Sequence, residues 1–473
     1  MADVVIVGLG PAGIVAARVL ADAGYTVTAV QPKPAPGERA PMAAPAPTLR
    51  THADQRAVPQ RTPPAGRDGV GGSKLLAAPQ AYRLDDWSFR ARTATLARGG
   101  VIPQGVDLVD WPIGPDDLAP WYDLIESATG VAPRPPTSWT DRMTIAAGAL
   151  GWRPRAAPAA AAKDSSFLLR GRDIEVVDAT ATALVQGSTG AIAGVEIVDA
   201  DGSARTIACG AAVVAASVIP TVRLLLLSGL TAGGRVGRWF MAHNAFVVHG
   251  DFPGIDLGRR SAGPASAVAV AEFEGEGMGA RHGVVGGSIL QAAMTGPWSD
   301  DRLRDVAEGL RPEITRGRDA AAWVRTHHSS IGTVWAQPDQ LPRAGNAIDL
   351  DLSHRDATGR PVARLTFALA DDDVRRADVL AGHAAEWLLA AGARGTWRPP
   401  LRPQPLGTHL YGGARMGRDP ATSVVDGFGR FHGVPGLVVV GSSTFPTTGG
   451  RGPVETIEAL SWRAASHLAD ALR

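Results

Sequence analysis

Apolar and polar positions divide the chain into runs of two kinds. DVVIV, from Asp3 to Val7, has the length and character of a buried strand. The turn Gly8-Leu9-Gly10-Pro11-Ala12-Gly13 follows it, and IVAARVLADAG then repeats its apolar residues at helical spacing up to Gly24. A second apolar run, Tyr25 to Val30, completes a β-α-β unit. Nine prolines fall between Pro32 and Pro64, so this stretch is expected to be an extended surface connection without regular structure. Trp111 to Val131 predicts a turn and an amphipathic helix, and RPRAAPAAAAK at 153–163 a second low-complexity loop. Asp173 to Ser217 reads as a strand meander that turns at Asp201-Gly202 and ends in the buried strand of AAVVAAS. From about 241 to 404, alternating runs (RHGVVGGSIL, NAIDLDLSH, RPVARLTFAL) mix with helical ones such as DVRRADVLAGHAAEWLLAAG, whose acidic start, Asp371 to Asp373, suits a helix N-terminus. This predicts an antiparallel sheet with helices. Beyond Gly407, turn, buried strand (GLVVVGSS), glycine loop and helix return, so the C-terminal segment is expected to rejoin the first unit.

Composition narrows the classes. The 473 residues carry 47 basic and 46 acidic side chains, a formal charge of +1, so no global field exists to hold nucleic acid or an anionic membrane surface. One cysteine, Cys209, excludes an internal disulfide and a Cys-x-x-Cys redox pair and is expected to be a reduced, small apolar residue. MADVVIVG shows no basic segment, apolar core and cleavage site, and the longest apolar run is broken by Pro220 and Arg223; a cytoplasmic protein without a membrane span is expected. His327-His328 has no third ligand at metal spacing and reads as a surface or core pair, so no metal is predicted. Ser442-Ser443 lacks the G-x-S-x-G frame of a nucleophile elbow. Trp323, Trp335 and Trp387 are expected to pack in a core, with a pocket lining as the alternative.

The spacing of Gly8, Gly10 and Gly13 between strand and helix has a mechanical purpose. The first permits the tight turn, the second lets the backbone approach a pyrophosphate, and the third lets the helix pack on the strand, with the phosphate at the positive end of the helix dipole. Pro11 and Ala12 complete that loop. Where a ribose-binding acid is usual, at the end of the second strand, this chain has Gln31. Its amide can still bond a ribose hydroxyl without charge assistance, which predicts weaker nucleotide affinity; Gln31 with Lys33 would alternatively suit a 2′-phosphate.

Several segments together resemble the glucose-methanol-choline (GMC) family of FAD-dependent oxidoreductases, in order and spacing, over nearly the whole chain. They are the N-terminal motif; Gly69-Val70-Gly71-Gly72-Ser73, similar to the family's glycine loop beside the isoalloxazine; DWPIGPDDLAPWYDLIESATGV at 110–131; VVAASVIPTVRLLLLSG at 213–229; and Val236-Gly237-Arg238 with His243. The most specific is THLYGGARMGRDPATSVVDGFGRFHGVPGLVVVGSSTFPTTGGRGPVETIEALSWRAASHL near the C-terminus. The resemblance implies an α/β protein in which a discontinuous, Rossmann-like FAD-binding domain joins an α+β substrate domain built on an antiparallel sheet. FAD-binding pieces are expected at 1–95 (with the Pro-rich loop at 32–68), 151–240 and 405–473, a linker or cap segment at 96–150, and the substrate domain at 241–404. Besides the first glycine motif and Gln31, the loop Val70, Gly71, Gly72, Ser73 and the residues Gly441, Ser442, Pro453 and Val454 are implied to contact FAD.

The family's catalytic histidine corresponds to His409. An imidazole, with an ordinary pKa of about 6.5, can take an alcohol proton near neutrality, and the resemblance implies hydride transfer from the carbinol carbon to the flavin. Oxidation of a sugar or natural-product hydroxyl is expected, with oxygen or a carrier as the electron acceptor. The chain departs from its relatives at Gly452, where they place Asn or His before the proline opening the last helix. Arg451, Glu455, or a hydroxyl of Thr447 or Thr448 could compensate, although Glu455 also suits the third position of a helix with Gly452 as N-cap and Pro453 first in it. Because this pair is altered, a net non-redox lyase, isomerase or cyclase, or a non-catalytic homologue, stands as the alternative. His432 reads as structural, and Arg415 as either a partner of Asp419 or a cofactor contact.

Overall fold

The computed structural model describes residues 2–32, 46–52, 58–59, 80–161, 165–257, 267–293, 300–310, 318–327, 329–401 and 409–473. Strand β1 (Ala2–Val7), helix α1 (Pro11–Asp22) and strand β2 (Val27–Val30) form the expected β-α-β unit. The meander forms β3 (Ile174–Val177), β4 (Ala179–Gln186), β5 (Ile192–Asp199) and β6 (Ala204–Val214), and helix α2 (Val218–Leu227) follows. The sheet order is β3-β2-β1-β6-β5-β4. β6 has two parts. Its first half runs antiparallel to β5, and its second, from Cys209, parallel to β1. The strands buried on both faces read as unbroken Val, Ile and Ala, the pattern of a covered parallel sheet.

The second sheet contains β7 (Phe246–Asp251), β8 (Ala267–Val270), β9 (Leu290–Ala293) and β10 (Ile331–Ala336), followed in sequence by helix α3 (Asp371–Ala390) and β11 (Gly395–Trp397). Its antiparallel order is β11-β7-β10-β9-β8, with Arg155–Ala156 on the edge beside β8. Val248, Val268, Val334 and Ala336 cover one face against α3 and the helix Ser138–Ala149. Trp387 is fully buried there, its Nε1 donating to Met143 O at 2.8 Å, and Asp373 caps the start of α3 by accepting from Ala370 N.

Three local expectations need correction. The 153–163 stretch holds two short strands, Arg155–Ala156 and Pro158–Ala159, because partners distant in sequence supply their hydrogen bonds. The Pro-rich connection contains Thr48–Arg50, parallel to Pro361–Thr366, and Val58–Pro59 beside it. RHGVVGGSIL is mostly not strand: a helix ends at His282, left-handed Gly283 stops it, and β9 starts only at Leu290.

The chain returns to the first sheet as β12 (Leu437–Val439), parallel to the second half of β6, and closes with helix α4 (Val454–Ala471). α4 lies against α1, where Ser461 Oγ donates to Ala12 O at 2.6 Å and Tyr25 OH to Ala469 O at 2.7 Å. The parallel strands therefore finish together. Gly8 N bonds Val30 O, Gln31 N bonds Val177 O, Ala215 N bonds Val7 O, and Val440 N bonds Val214 O. In a doubly wound sheet this carboxyl edge is where ligands bind. No helix among the described residues is long and apolar enough to cross a membrane.

Candidate active site

At that edge the glycines are arranged as a phosphate cradle requires. Gly8 adopts φ +96°, and a Cβ on Gly13 would lie 1.8 Å from Gly8 O, so loop and helix meet at a distance only glycine allows. A Cβ on Gly10, by contrast, would meet nothing within 4 Å, which leaves the backbone open to a ligand. Pro11 and Ala12 open α1, whose first amides are unspent by the helix. Gln31 is buried and folds onto this loop, its Oε1 accepting from Leu9 N at 2.7 Å and its Nε2 donating to Pro32 O at 3.1 Å. Gly441, at φ +103°, continues the same edge after β12, with open space where its Cβ would be, and Ser442 starts a 3₁₀ turn. These features fit the pyrophosphate of a dinucleotide such as FAD. Val70, Gly71, Gly72 and Ser73 lie outside the described residues.

His409 stands beside this edge. A two-residue ladder, Met241–Ala242 antiparallel to Leu410–Tyr411, brings His243 next to it, and His243 N donates to His409 O at 3.0 Å. The rings then meet, Nδ1 to Nδ1, at 3.2 Å. His243 Nε2 lies 2.7 Å from Gly449 O, a carbonyl that can only accept, so Nε2 carries the proton and Nδ1 holds a lone pair. That lone pair faces His409 Nδ1, while the Tyr411 hydroxyl lies almost equally far from both His243 nitrogens, 3.2 Å from Nδ1 and 3.3 Å from Nε2. Donation from His409 Nδ1 would leave its Nε2 unprotonated. Burial supports this state: desolvation holds His243 well below the usual histidine range and pulls His409 down to about 4. His243 entered the sequence reading only as part of the family resemblance, and Tyr411 did not enter it at all.

Gly452 faces His409. A Cβ there would lie 3.9 Å from His409 Cε1 and 3.9 Å from Gln337 Oε1. Most of the groups that could replace the absent side chain are engaged elsewhere. Arg451 holds Glu274 with two donors, Nη2 to Oε2 at 2.5 Å, and donates to Arg83 O. Thr447 Oγ1 bonds Trp111 Nε1 and Ser88 O; Thr448 Oγ1 bonds Gln340 N and Asp339 Oδ1. Glu455 is buried in the first turn of α4. The helix register moves by one residue from the sequence expectation: Pro453, in αR geometry, is the N-cap, Val454 is first in the helix, and Glu455 is second. Pro453 and Val454 thus flank Gly452 at the edge where Gly441 lies.

Arg415 partners neither Asp419 nor the cofactor edge. It binds Asp107 Oδ2 at 3.0 Å and Thr422 O at 2.8 Å, with its guanidinium 3.5 Å from the Trp239 ring centre. His432 bonds Ser423 Oγ, a structural contact. Among the described residues no cluster of His, Cys, Asp or Glu could hold a metal ion, and His327 stacks on Trp323.

Comparison with known proteins agrees with the geometry. Residues 342–461 match the family profile described as GMC oxidoreductase. The chain is 26% identical to 2-methyl-1,2-propanediol dehydrogenase of Mycolicibacterium austroafricanum, covering 98% of this chain and 95% of that one. It is 27% identical to paromamine 6'-oxidase of Streptomyces fradiae, over 85% and 81% of the two chains. Formate oxidase of Aspergillus oryzae, studied for its FAD modification, shares the fold at a TM-score of 0.67 and 16% identity, covering 99% and 98%.

Proposed function

As a GMC oxidoreductase by its C-terminal domain, this chain is, we propose, an FAD-dependent enzyme that oxidises a hydroxyl of a small molecule, with His409 as the acceptor of the hydroxyl proton. What supports the reading is the geometry of the histidine pair: His243 Nε2 lies 2.7 Å from Gly449 O, its Nδ1 lies 3.2 Å from His409 Nδ1, and the His409 ring faces the gap at Gly452. FAD, when bound, supplies the hydride acceptor. Gly8, Gly10, Gly13 and the first amides of α1 would hold its pyrophosphate, Gln31 would meet the ribose, and Gly441, Ser442, Pro453 and Val454 would border the ring. Held by the buried His243, His409 takes the proton as the alkoxide forms. The positive end of α4, opening at Pro453, favours negative charge at this point.

The two relatives are named for 2-methyl-1,2-propanediol and for paromamine, which supports a polyol, sugar or natural-product hydroxyl as substrate, with either oxygen or a carrier as electron acceptor. A single reduced cysteine, Cys209, buried and with its thiol pushed up to about 11 by desolvation, suits a cytoplasmic setting. The test is reconstitution with FAD followed by anaerobic mixing with a panel of diols and sugars, 2-methyl-1,2-propanediol and paromamine included. Loss of the yellow colour with at least one alcohol is expected. A protein that takes up no FAD, or holds it and is bleached by none of the panel, refutes the reading.

A further inference from the structure

Gln337 follows the last residue of β10 and is 2% exposed, yet its Oε1 has no hydrogen-bond partner among the described residues. A buried amide oxygen left unpaired carries a desolvation penalty, which folding alone gives no reason to keep. Its position is tightly set. Gln337 N donates to Ser288 Oγ at 2.8 Å, and Ile289 N donates to Gly450 O at 3.1 Å. Gly450 permits this approach, since a Cβ there would lie 2.7 Å from Ser288 Cα. Two residues further on, Asp339 exchanges backbone and side-chain bonds with Gly287, and Gln340 N reaches Thr448 Oγ1. The antiparallel sheet is thus stitched to the closing glycine loop just before Gly452, at Thr448 and Gly450, and the unpaired oxygen lies 3.9 Å from where a Cβ on Gly452 would stand.

We propose that Gln337 is the second polar group of this active site, its carboxamide bonding the substrate oxygen opposite His409 and taking the place of the side chain missing at Gly452. The inference rests on the alcohol-oxidising reading of the same site. In the bound state the substrate hydroxyl lies between two groups: His409 Nε2 accepts its proton, and the Gln337 carboxamide, turned by half a rotation so that Nε2 takes the place of Oε1, donates to the oxygen and then stabilises the alkoxide. The family resemblance puts that function on the residue just ahead of the last helix, the position of Gly452. Here it comes from the facing sheet, and Gly452 is small because a side chain there would compete with the Gln337 amide for the same space. The backbone at Gly452 does not require glycine, as its φ lies outside the left-handed region.

The test uses Gln337→Met, which keeps the side-chain length without the amide, alone and combined with Gly452→Asn. Two measurements are made on the FAD-loaded proteins: the anaerobic rate of flavin bleaching by the panel alcohol that reduces wild type fastest, and the dissociation constant of tert-butanol, read from the flavin difference spectrum. Tert-butanol has no carbinol hydrogen, so its binding reports the hydroxyl contact without turnover. Gln337→Met is expected to melt at or above the wild-type temperature, to bleach on the order of 10²-fold more slowly, and to bind tert-butanol about tenfold more weakly. Adding Gly452→Asn is expected to return at least tenfold of the lost rate. Wild-type rate and binding in the Met variant, a fall in its melting temperature of several degrees, or a double variant no faster than the single one, each overturns the proposal. Should Gln337→Met fail to fold, Gln337→Asn, which withdraws the amide by one methylene, carries the same measurements. If no panel alcohol reduces wild type, the alcohol-oxidising reading fails separately, and tert-butanol binding still decides for or against Gln337.

Discussion

The lowered pKa of His409 makes a sharp demand on how the reaction responds to acid. An imidazole at about 4 is still roughly 90% neutral at pH 5, whereas an ordinary one near 6.5 is only about 3% neutral there, a thirtyfold difference in available base. The perturbation is therefore simple acidification. The assay is anaerobic stopped-flow bleaching of the flavin at low alcohol concentration, where the second-order rate reports groups of the uncombined protein. A plateau from neutrality down to about pH 5.5 is expected, with an acid limb centred near 4. His409→Ala should remove the limb and lower the plateau by about 10²- to 10⁴-fold. Stability moves in the same sense. The native state refuses a proton that the unfolded chain accepts below about 6.5, so the contribution is complete above that pH and is lost as pH falls towards 4, amounting to at most about 3 kcal/mol for this ring. A limb centred near 6.5, or an alanine variant with full rate, would refute the arrangement of the two imidazoles derived above.

Two other substitutions probe the frame around the site. Gly13→Ala forces a methyl to within 1.8 Å of Gly8 O, so the loop must spread; the purified protein should be colourless after reconstitution, with the 450 nm absorbance as the measure. Arg451→Ala leaves Glu274, already pushed up to about 7 by burial, without its guanidinium; a loss of about 3–5 kcal/mol in urea unfolding is expected, larger at pH 8 than at pH 6 because the carboxylate can shed its charge in acid.

The first sheet was readable because its information is local. Gly8, Gly10 and Gly13 announce a turn that only glycines can make, and strands covered on both faces have no alternation to confuse. The same holds for α3, announced by its period and its three acidic residues. What escaped depends on residues far apart in the chain. Arg155–Ala156 looks like low-complexity loop until Val268 supplies its ladder, and Arg415 points to nearby Asp419 on paper while Asp107 holds it in the folded molecule. Gln337 belongs to no motif. Its meaning comes from an absent side chain at Gly452, more than a hundred positions away, and from an oxygen that nothing bonds. Even the helix register was off by one, since a proline marks the start of a helix without specifying which of two adjacent positions it takes.

The short ladder of Met241–Ala242 with Leu410–Tyr411 limits how such proteins can be recombined. It sits where the polypeptide departs for the antiparallel sheet and where it comes back, and each imidazole is rooted at one of those crossings. A chimaera that borrows the sheet from a cousin but cuts between the crossings and the rings would inherit two histidines that no longer face each other. New specificity imported by exchange must bring both crossings as a matched set.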